Sequence, residues 1–232
     1  SSFHFKGLDL LNSSEIFISD YSIRFQNFFN MKIEDIYEKE RTIDDLISKQ
    51  PLQNEKNNSN DRDVNEFSDE VVGQKILSYA IGCMMGRYSL DEPGLIYAHA
   101  GNQDFDASRY QTFPADADGI IPLTEMHWFE DDATHRIQEF LTAVWGKDTL
   151  DANMQWLAES LDKKASETAE DTIRRYLASK FYKDHMQTYK KRPIYWLFSS
   201  GKQGAFQALV YLHRYNESTL ARMRTEYVMP LI

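Results

Sequence analysis

Apolar side chains in this chain recur mostly at helical spacing. Residues 1–49 begin with short mixed runs and then turn helical: Phe25, Phe28, Phe29 and Ile33 share a face, and Ile36, Ile43, Leu46 and Ile47 follow less regularly. Residues 50–63, QPLQNEKNNSNDRD, carry almost no apolar side chains and read as a flexible polar linker. From Val64 to Tyr88 the apolar positions form the longest helical pattern of the chain, apolar nearly all round in its second half, which predicts a central buried helix. Asp91-Glu92-Pro93-Gly94 closes it in a turn, and residues 95–125 read as irregular, with short extended pieces at 95–97 and 120–123. Three amphipathic helices follow. They are marked by Ile137, Phe140, Leu141 and Val144; by Leu150, Met154, Leu157 and Leu161 after a Thr149 cap; and by Ile173, Tyr176, Leu177 and Phe181, with Ser166 as a start signal.

The last 40 residues change period. Ile194-Tyr195-Trp196-Leu197-Phe198 and residues 205–212 are apolar runs of strand length, separated by a turn that carries Gly201 and Gly204. Two such runs predict an antiparallel hairpin, with Pro193 at the strand start, where no ladder donor is needed from it. Asn216 is placed to cap a final helix through Tyr227, stopped by Pro230. The fold predicted is mainly α with a small antiparallel β-hairpin: a helical segment over 1–49, the linker over 50–63, and a multi-helix domain over 64–232 ending in the hairpin and a helix.

Composition narrows the class. At 232 residues with 42% apolar content the chain can bury a core, and its formal charge of −10 gives no overall signal for nucleic acid. Cys83 is the single cysteine, which leaves no disulfide framework and no cysteine-based zinc site. No apolar run approaches the ~18 residues of a membrane span and no signal peptide is visible, so a cytoplasmic setting is expected. The start Ser1-Ser2-Phe3, without Met, suggests a piece of something longer.

Charge distribution says more than total charge. Between residues 187 and 226 stand Lys190, Lys191, Arg192, Lys202, Arg214, Arg222 and Arg224 against Glu217 and Glu226 only. Cations interleaved with Tyr, Trp and Phe suit a nucleic-acid backbone. The same pattern suits a hairpin whose aromatics form a core face and whose charges are solvated.

Other motifs carry less. Gly201-Lys202-Gln203-Gly204 has the spacing of a KH-type backbone clamp, but it joins two strand-like runs instead of two helices, so a hairpin turn is the better reading. Asp116, Asp118, Gly119 and Glu125 match part of a calcium loop whose first ligand position is Pro114; a tight Asp-Gly turn is expected, and no metal. Gly82-x-x-x-Gly86 reads as close helix packing, and Cys83 as a buried small hydrophobe. No histidine pair has metalloprotease spacing and no G-x-S-x-G is present, so no catalytic residue is assigned.

Several long segments, in order, resemble one family. They are ILSYAIGCMMGRYSLDEPGLIYA (76–98), DADGIIPL (116–123), WFEDDATHRIQEFL (128–141), TLDANMQWLAESL (149–161), TIRRYLASKFYKDHMQTYKKRPIYW (172–196) and the remainder through residue 228. Residues 70–232 resemble the late region of large adenine-specific DNA methyltransferases of the PglX type, found in BREX phage-defence systems, and of related restriction enzymes with a methylase subunit. The resemblance implies a bacterial parent enzyme that methylates the adenine amine of double-stranded DNA with S-adenosylmethionine, with other defence-system proteins as further partners. Such an enzyme needs a glycine-rich turn for its cofactor and an Asn-Pro-Pro-aromatic motif for a flipped adenine. Neither is here: the chain has no Asn-Pro pair and no G-x-G-x-x-G. The expectation is a region downstream of the catalytic domain, without cofactor of its own. It would bind DNA through Lys190, Lys191, Arg192, Lys202 and Arg214, or else serve as a protein–protein scaffold that does not touch DNA.

Overall fold

The structure, a computed structural model, describes residues 68–189, 192–201 and 206–232. The expected helical segment over 1–49 and the polar linker over 50–63 lie outside the described residues. What is described is mainly helical with a small antiparallel sheet, as the periodicity predicts.

Helix α1, Asp69–Met84, is the centre. Ser68 caps it, Asp69 and Glu70 sit favourably in its first turn, and Ile76, Leu77, Ala80, Ile81 and Met84 are essentially inaccessible. Around it pack α2 (Ala133–Trp145), α3 (Leu150–Ser160) and α4 (Ala169–Tyr176), which contribute Ile137, Phe140, Leu141, Leu157, Ile173 and Tyr176 to one core. A π-turn, Leu177–Phe181, carries α4 directly into α5, Tyr182–Thr188. Among the described residues no helix is long and apolar enough to cross a membrane.

The helix starts differ in detail from those expected. Asp132 caps α2 through Thr134 and His135. Thr149 precedes α3 without a side-chain cap bond. Thr168, not Ser166, starts α4, in a reciprocal capping box with Asp171. Asn216 is no helix cap either. Its Oδ1 accepts from the Ser218 N–H, and the last helix, α6, runs Thr219–Arg222 before a π-turn, Met223–Val228. Pro230 sits within a closing 3-10 turn, Met229–Leu231, rather than ending the helix before it.

The hairpin forms, and it gains a third strand. β2 (Tyr195–Ser199) and β3 (Gln207–Tyr211) pair antiparallel, and β1 (Ile120–Pro122) adds to the other edge of β3, giving the order β1-β3-β2. Strand alternation then divides the side chains between two cores. Ile121, Leu197, Leu209, Tyr195 and Tyr211 face the helices around α1. Ile120, Phe198, Ala208 and Val210 face the C-terminal segment, which covers them with Met223 and Tyr227.

Candidate nucleic-acid interface

The basic stretch enters the sheet through a fixed turn. The Arg192 N–H donates to the Tyr189 carbonyl at 2.8 Å, just past the end of α5. Pro193 follows. The N–H groups of Ile194 and Tyr195 then both donate to His185 Nε2, at 3.0 and 3.4 Å. One buried imidazole therefore sets where β2 leaves α5. Burial, with the Arg87 charge adding to it, pushes the pKa of His185 down to about 4, which keeps the ring neutral and Nε2 an acceptor at neutral pH.

Arg192 is exposed at this entry. Lys190, Lys191 and Lys202 lie outside the described residues, as do Gln203 and Gly204 of the turn; Gly201, at its start, has φ +102°. Trp196 is a feature the sequence reading did not single out. It lies on edge strand β2, opposite Val210, and is 47% exposed, on the strand that Arg192 leads into. Arg224, on the C-terminal helix, is also exposed, while Arg222 pairs with Glu226 at 3.6 Å.

Arg214 does not fit the role expected of it. Its residue is 1% exposed. Nη1 donates to the Asp116 carbonyl at 2.6 Å, Nη2 to the Ala117 carbonyl at 2.7 Å and Nε to Asn102 Oδ1 at 2.8 Å. The guanidinium stacks 3.8 Å over the Phe105 ring. A phosphate cannot reach a cation whose donors are so occupied, and Arg214 instead ties the irregular 100–119 segment to the sheet. Gly119 accommodates it: at φ +75°, an added Cβ would lie 3.1 Å from Arg214 Cβ.

The partial calcium loop is the expected Asp-Gly turn. Asp116 Oδ1 accepts from the N–H groups of Asp118, Gly119 and Ile120 at 2.9, 2.6 and 3.3 Å, so the carboxylate shapes backbone. Among the described residues no three His, Cys, Asp or Glu side chains are grouped to hold a metal ion. Nearby, the Tyr227 hydroxyl donates to Asp131 Oδ2 at 2.6 Å and lies 3.3 Å from Asp118 Oδ2, fastening the C-terminal helix to the loop. Burial, a hydrogen bond with Asp116 and that neighbour's charge push the pKa of Asp118 up to about 8; burial also raises Asp131.

The sheet of the described residues is antiparallel throughout, and none of its strands runs through a glycine-rich turn into a helix.

No protein-family model matches the chain. Among curated proteins it is similar to the adenine-specific methyltransferase BrxX of Escherichia coli O9:H4 (strain HS), 55% identical over 183 residues, which are 75% of this chain and 15% of that protein. It is also similar to the adenine-specific methyltransferase PglX of Lacticaseibacillus casei (strain Zhang), 48% identical over 158 residues, 67% of this chain and 13% of that protein. The chain thus spans only about a seventh of the length of these relatives.

Proposed function

We propose that this chain, a relative of the PglX-type adenine-specific methyltransferases of BREX phage defence, is a non-catalytic region of such an enzyme and helps it hold double-stranded DNA. The observation that carries this reading is identity of about one residue in two with BrxX and PglX over at least two thirds of the chain, in a sequence that lacks both the cofactor and the adenine motifs. The parent would transfer a methyl group from S-adenosylmethionine to the adenine amine, in the bacterial cytoplasm, using residues outside this chain.

Within the chain, Lys190, Lys191 and Arg192 supply the charge that would meet phosphate, with Lys202 in the hairpin turn as a further contact. Arg192 is exposed where the strand begins. Arg214 drops out of the set.

Gel shift on duplex DNA across a salt series tests this reading. Neutralising Lys190, Lys191 and Arg192 together should weaken binding to all sequences alike and flatten the log–log salt plot by about two units, at roughly 0.9 per lost phosphate contact. Unchanged binding at every salt concentration would transfer the role to a scaffold that docks the enzyme on other defence proteins. The exposed Met126 (61%) and Trp128 (46%), in the acidic segment 104–132, favour that second reading. Calorimetric titration of the chain with S-adenosylmethionine should give no heat of binding; micromolar affinity would refute the non-catalytic assignment.

A further inference from the structure

The two edges of the sheet are not alike. On β1 the outward backbone groups belong to Ile120 and Pro122, because its bonds to β3 run through Gly119 and Leu123, which meet Tyr211 and Gln207. Pro122 has no N–H to offer. The Ile120 N–H donates to Asp118 Oδ1 at 2.8 Å, and the Tyr227 hydroxyl lies 3.4 Å from the Ile120 carbonyl. The β1 edge is therefore closed to a further strand.

On β2 the Ile194 carbonyl accepts from the Leu212 N–H at 3.1 Å, and the Ser200 N–H donates to the Phe206 carbonyl at 2.9 Å. Bonded pairs alternate along an antiparallel ladder, so Trp196 and Phe198 also bond to β3. Tyr195, Leu197 and Ser199 then turn their backbone groups to the outer edge. His185 takes the Tyr195 N–H. The N–H groups of Leu197 and Ser199, and all three carbonyls, bond to no described residue. Half-exposed Trp196 stands among them. An open edge of this kind pairs with an extended segment.

A second copy of the chain fits this edge poorly. Two-fold antiparallel pairing centred on Leu197 sets Arg192 of each copy opposite Lys202 of the other, and like charges facing across strands destabilise. The cations that bracket the edge, Lys190, Lys191 and Arg192 before it and Lys202 after it, call instead for acids at both ends of the incoming strand. Among the residues that precede Ser68, Glu15-Ile16-Phe17-Ile18-Ser19-Asp20 has that form. It is a run of β-favouring apolar residues with a carboxylate at either end, ahead of the helical spacing that starts at Phe25. Residues 21–67 join it to Ser68; a coil of that length spans about 40 Å, enough to round a domain whose radius of gyration is about 15 Å. We infer that residues 15–20 of this same chain pair with the outer edge of β2 as a fourth strand. Alternation sets either Phe17, or Ile16 and Ile18, beside Trp196. The inference goes beyond the DNA reading and does not depend on it.

The test is amide hydrogen exchange of the full ¹⁵N-labelled chain, read by NMR at Leu197 and Ser199, with Leu209 and Tyr211 inside the ladder as reporters of an intact sheet. Both outer amides should exchange at least about tenfold more slowly than a free peptide, the weight of one hydrogen bond. Phe17→Pro removes a ladder donor from the run and should return them to the free rate, leaving Leu209 and Tyr211 protected. The double variant Glu15→Lys with Asp20→Lys keeps the apolar run and should weaken the protection through charge alone. A peptide of residues 13–22, added to the Phe17→Pro chain, should restore it saturably. Free exchange of Leu197 and Ser199 in the parent chain would overturn the inference, as would protection that survives both variants. Protection that grows with chain concentration would also overturn it and assign the edge to a second copy.

Discussion

Arg174 Nη1 lies 2.8 Å from Asp132 Oδ2, and both side chains are almost wholly removed from solvent. The other oxygen of the same carboxylate accepts from the N–H groups of Thr134 and His135, closing the start of α2. Arg174 also donates to the Thr124 carbonyl and to Glu170. One ion pair therefore joins the loop after β1, the first turn of α2 and the body of α4. Removing one partner of such a pair strands a charge, and the loss is about 3–5 kcal/mol. Arg174→Met should show that loss in urea unfolding. Adding Asp132→Asn should restore a large part of it, because asparagine still caps the helix and leaves no unpaired charge. A double variant as unstable as the single one would mean that packing around the Arg174 stem, not charge, dominates.

Arg214 makes a sharp contrast with the lysines before Pro193. Arg214→Ala frees two backbone carbonyls and Asn102 from their donor and opens space beside Phe105. Unsatisfied buried groups at about 1–3 kcal/mol each put the loss at several kcal/mol. Arg214→Lys should recover little of it, since a lysine cannot reach three acceptors in one plane. Neutralising Lys190 and Lys191 should leave the melting temperature within a degree or two of the parent. If Arg214→Ala melts normally and instead weakens DNA binding, the phosphate role has to be restored to it.

Stability should depend on pH through two buried groups of opposite sign. The folded-state pKa of His185, about 4, is below its unfolded value near 6.5, so its share of stability is present above pH 6.5 and is lost as pH falls towards 4. Asp118, at about 8 against an unfolded value of 3.8, keeps its proton in the folded state; its share is present below pH 4 and is lost as pH rises towards 8. Asp131 adds to the same side. Each slope has a limit of about 1.4 kcal/mol per pH unit. Between pH 4 and 6.5 the two nearly cancel, and between 6.5 and 8 the carboxylate alone acts, so stability should fall there. Asp118→Asn should abolish that fall and make stability rise from pH 4 to 6.5. Unfolding curves at half-unit intervals decide it; a variant that still loses stability from pH 6.5 to 8 would shift the titration to another group.

How far this fold was legible depended on whether a residue's partner is near in sequence. The face of α1 and the cores of α2, α3 and α4 repeat their apolar positions locally, and those helices stand where the periodicity puts them. The β2–β3 hairpin carries its own turn. β1 does not: Ile120–Pro122 is three residues in an irregular segment, and it becomes a strand only because β3, about 90 residues on, has a free edge. The role of Arg214 is illegible in the sequence for the same reason. Nothing beside it in sequence says that Asn102 and the 116–117 carbonyls will converge on it. The capping box at Thr168 has a local signature, Thr-x-x-Asp, two residues beyond the Ser166 start signal. Within the candidate interface, Arg192 can be checked and is exposed, while Lys190, Lys191 and Lys202 lie outside the described residues. His185 had no sequence signal, because its role rests on a buried contact across the turn to β2.

The glycines of α1 bring a last prediction, since the small-residue pattern Gly82-x-x-x-Gly86 suggests helix-on-helix packing and the close helix contact is elsewhere. Gly86, at φ +77°, lies beyond the helix end, with Phe105 and Tyr110 against it. An added Cβ at Gly82 would stand 2.4 Å from Tyr88 Cδ2, a ring on the chain just past the helix. The approach of one helix to another is at Gly73, where an added Cβ would meet Ser160 Oγ, at the end of α3, at 2.2 Å. In an exposed helix, glycine to alanine gains about 1 kcal/mol. At Gly82 that gain meets a rigid ring stacked on Tyr79, and overpacking costs about 1–3 kcal/mol, so Gly82→Ala should be destabilising. At Gly73 the nearest obstacle is the tip of one serine, with Ser160 Cβ at 3.2 Å behind it. Ser160 Oγ can rotate away at the loss of its 2.7 Å bond to the Leu157 carbonyl, about 1 kcal/mol, so Gly73→Ala should be near neutral, and Gly73→Ala with Ser160→Ala should be more stable than the parent. Melting temperatures of the three variants test the ranking directly. Gly82→Ala at or above the parent would show that Tyr88 is free to move, and that the close approach at the end of α1 is not what keeps a glycine there.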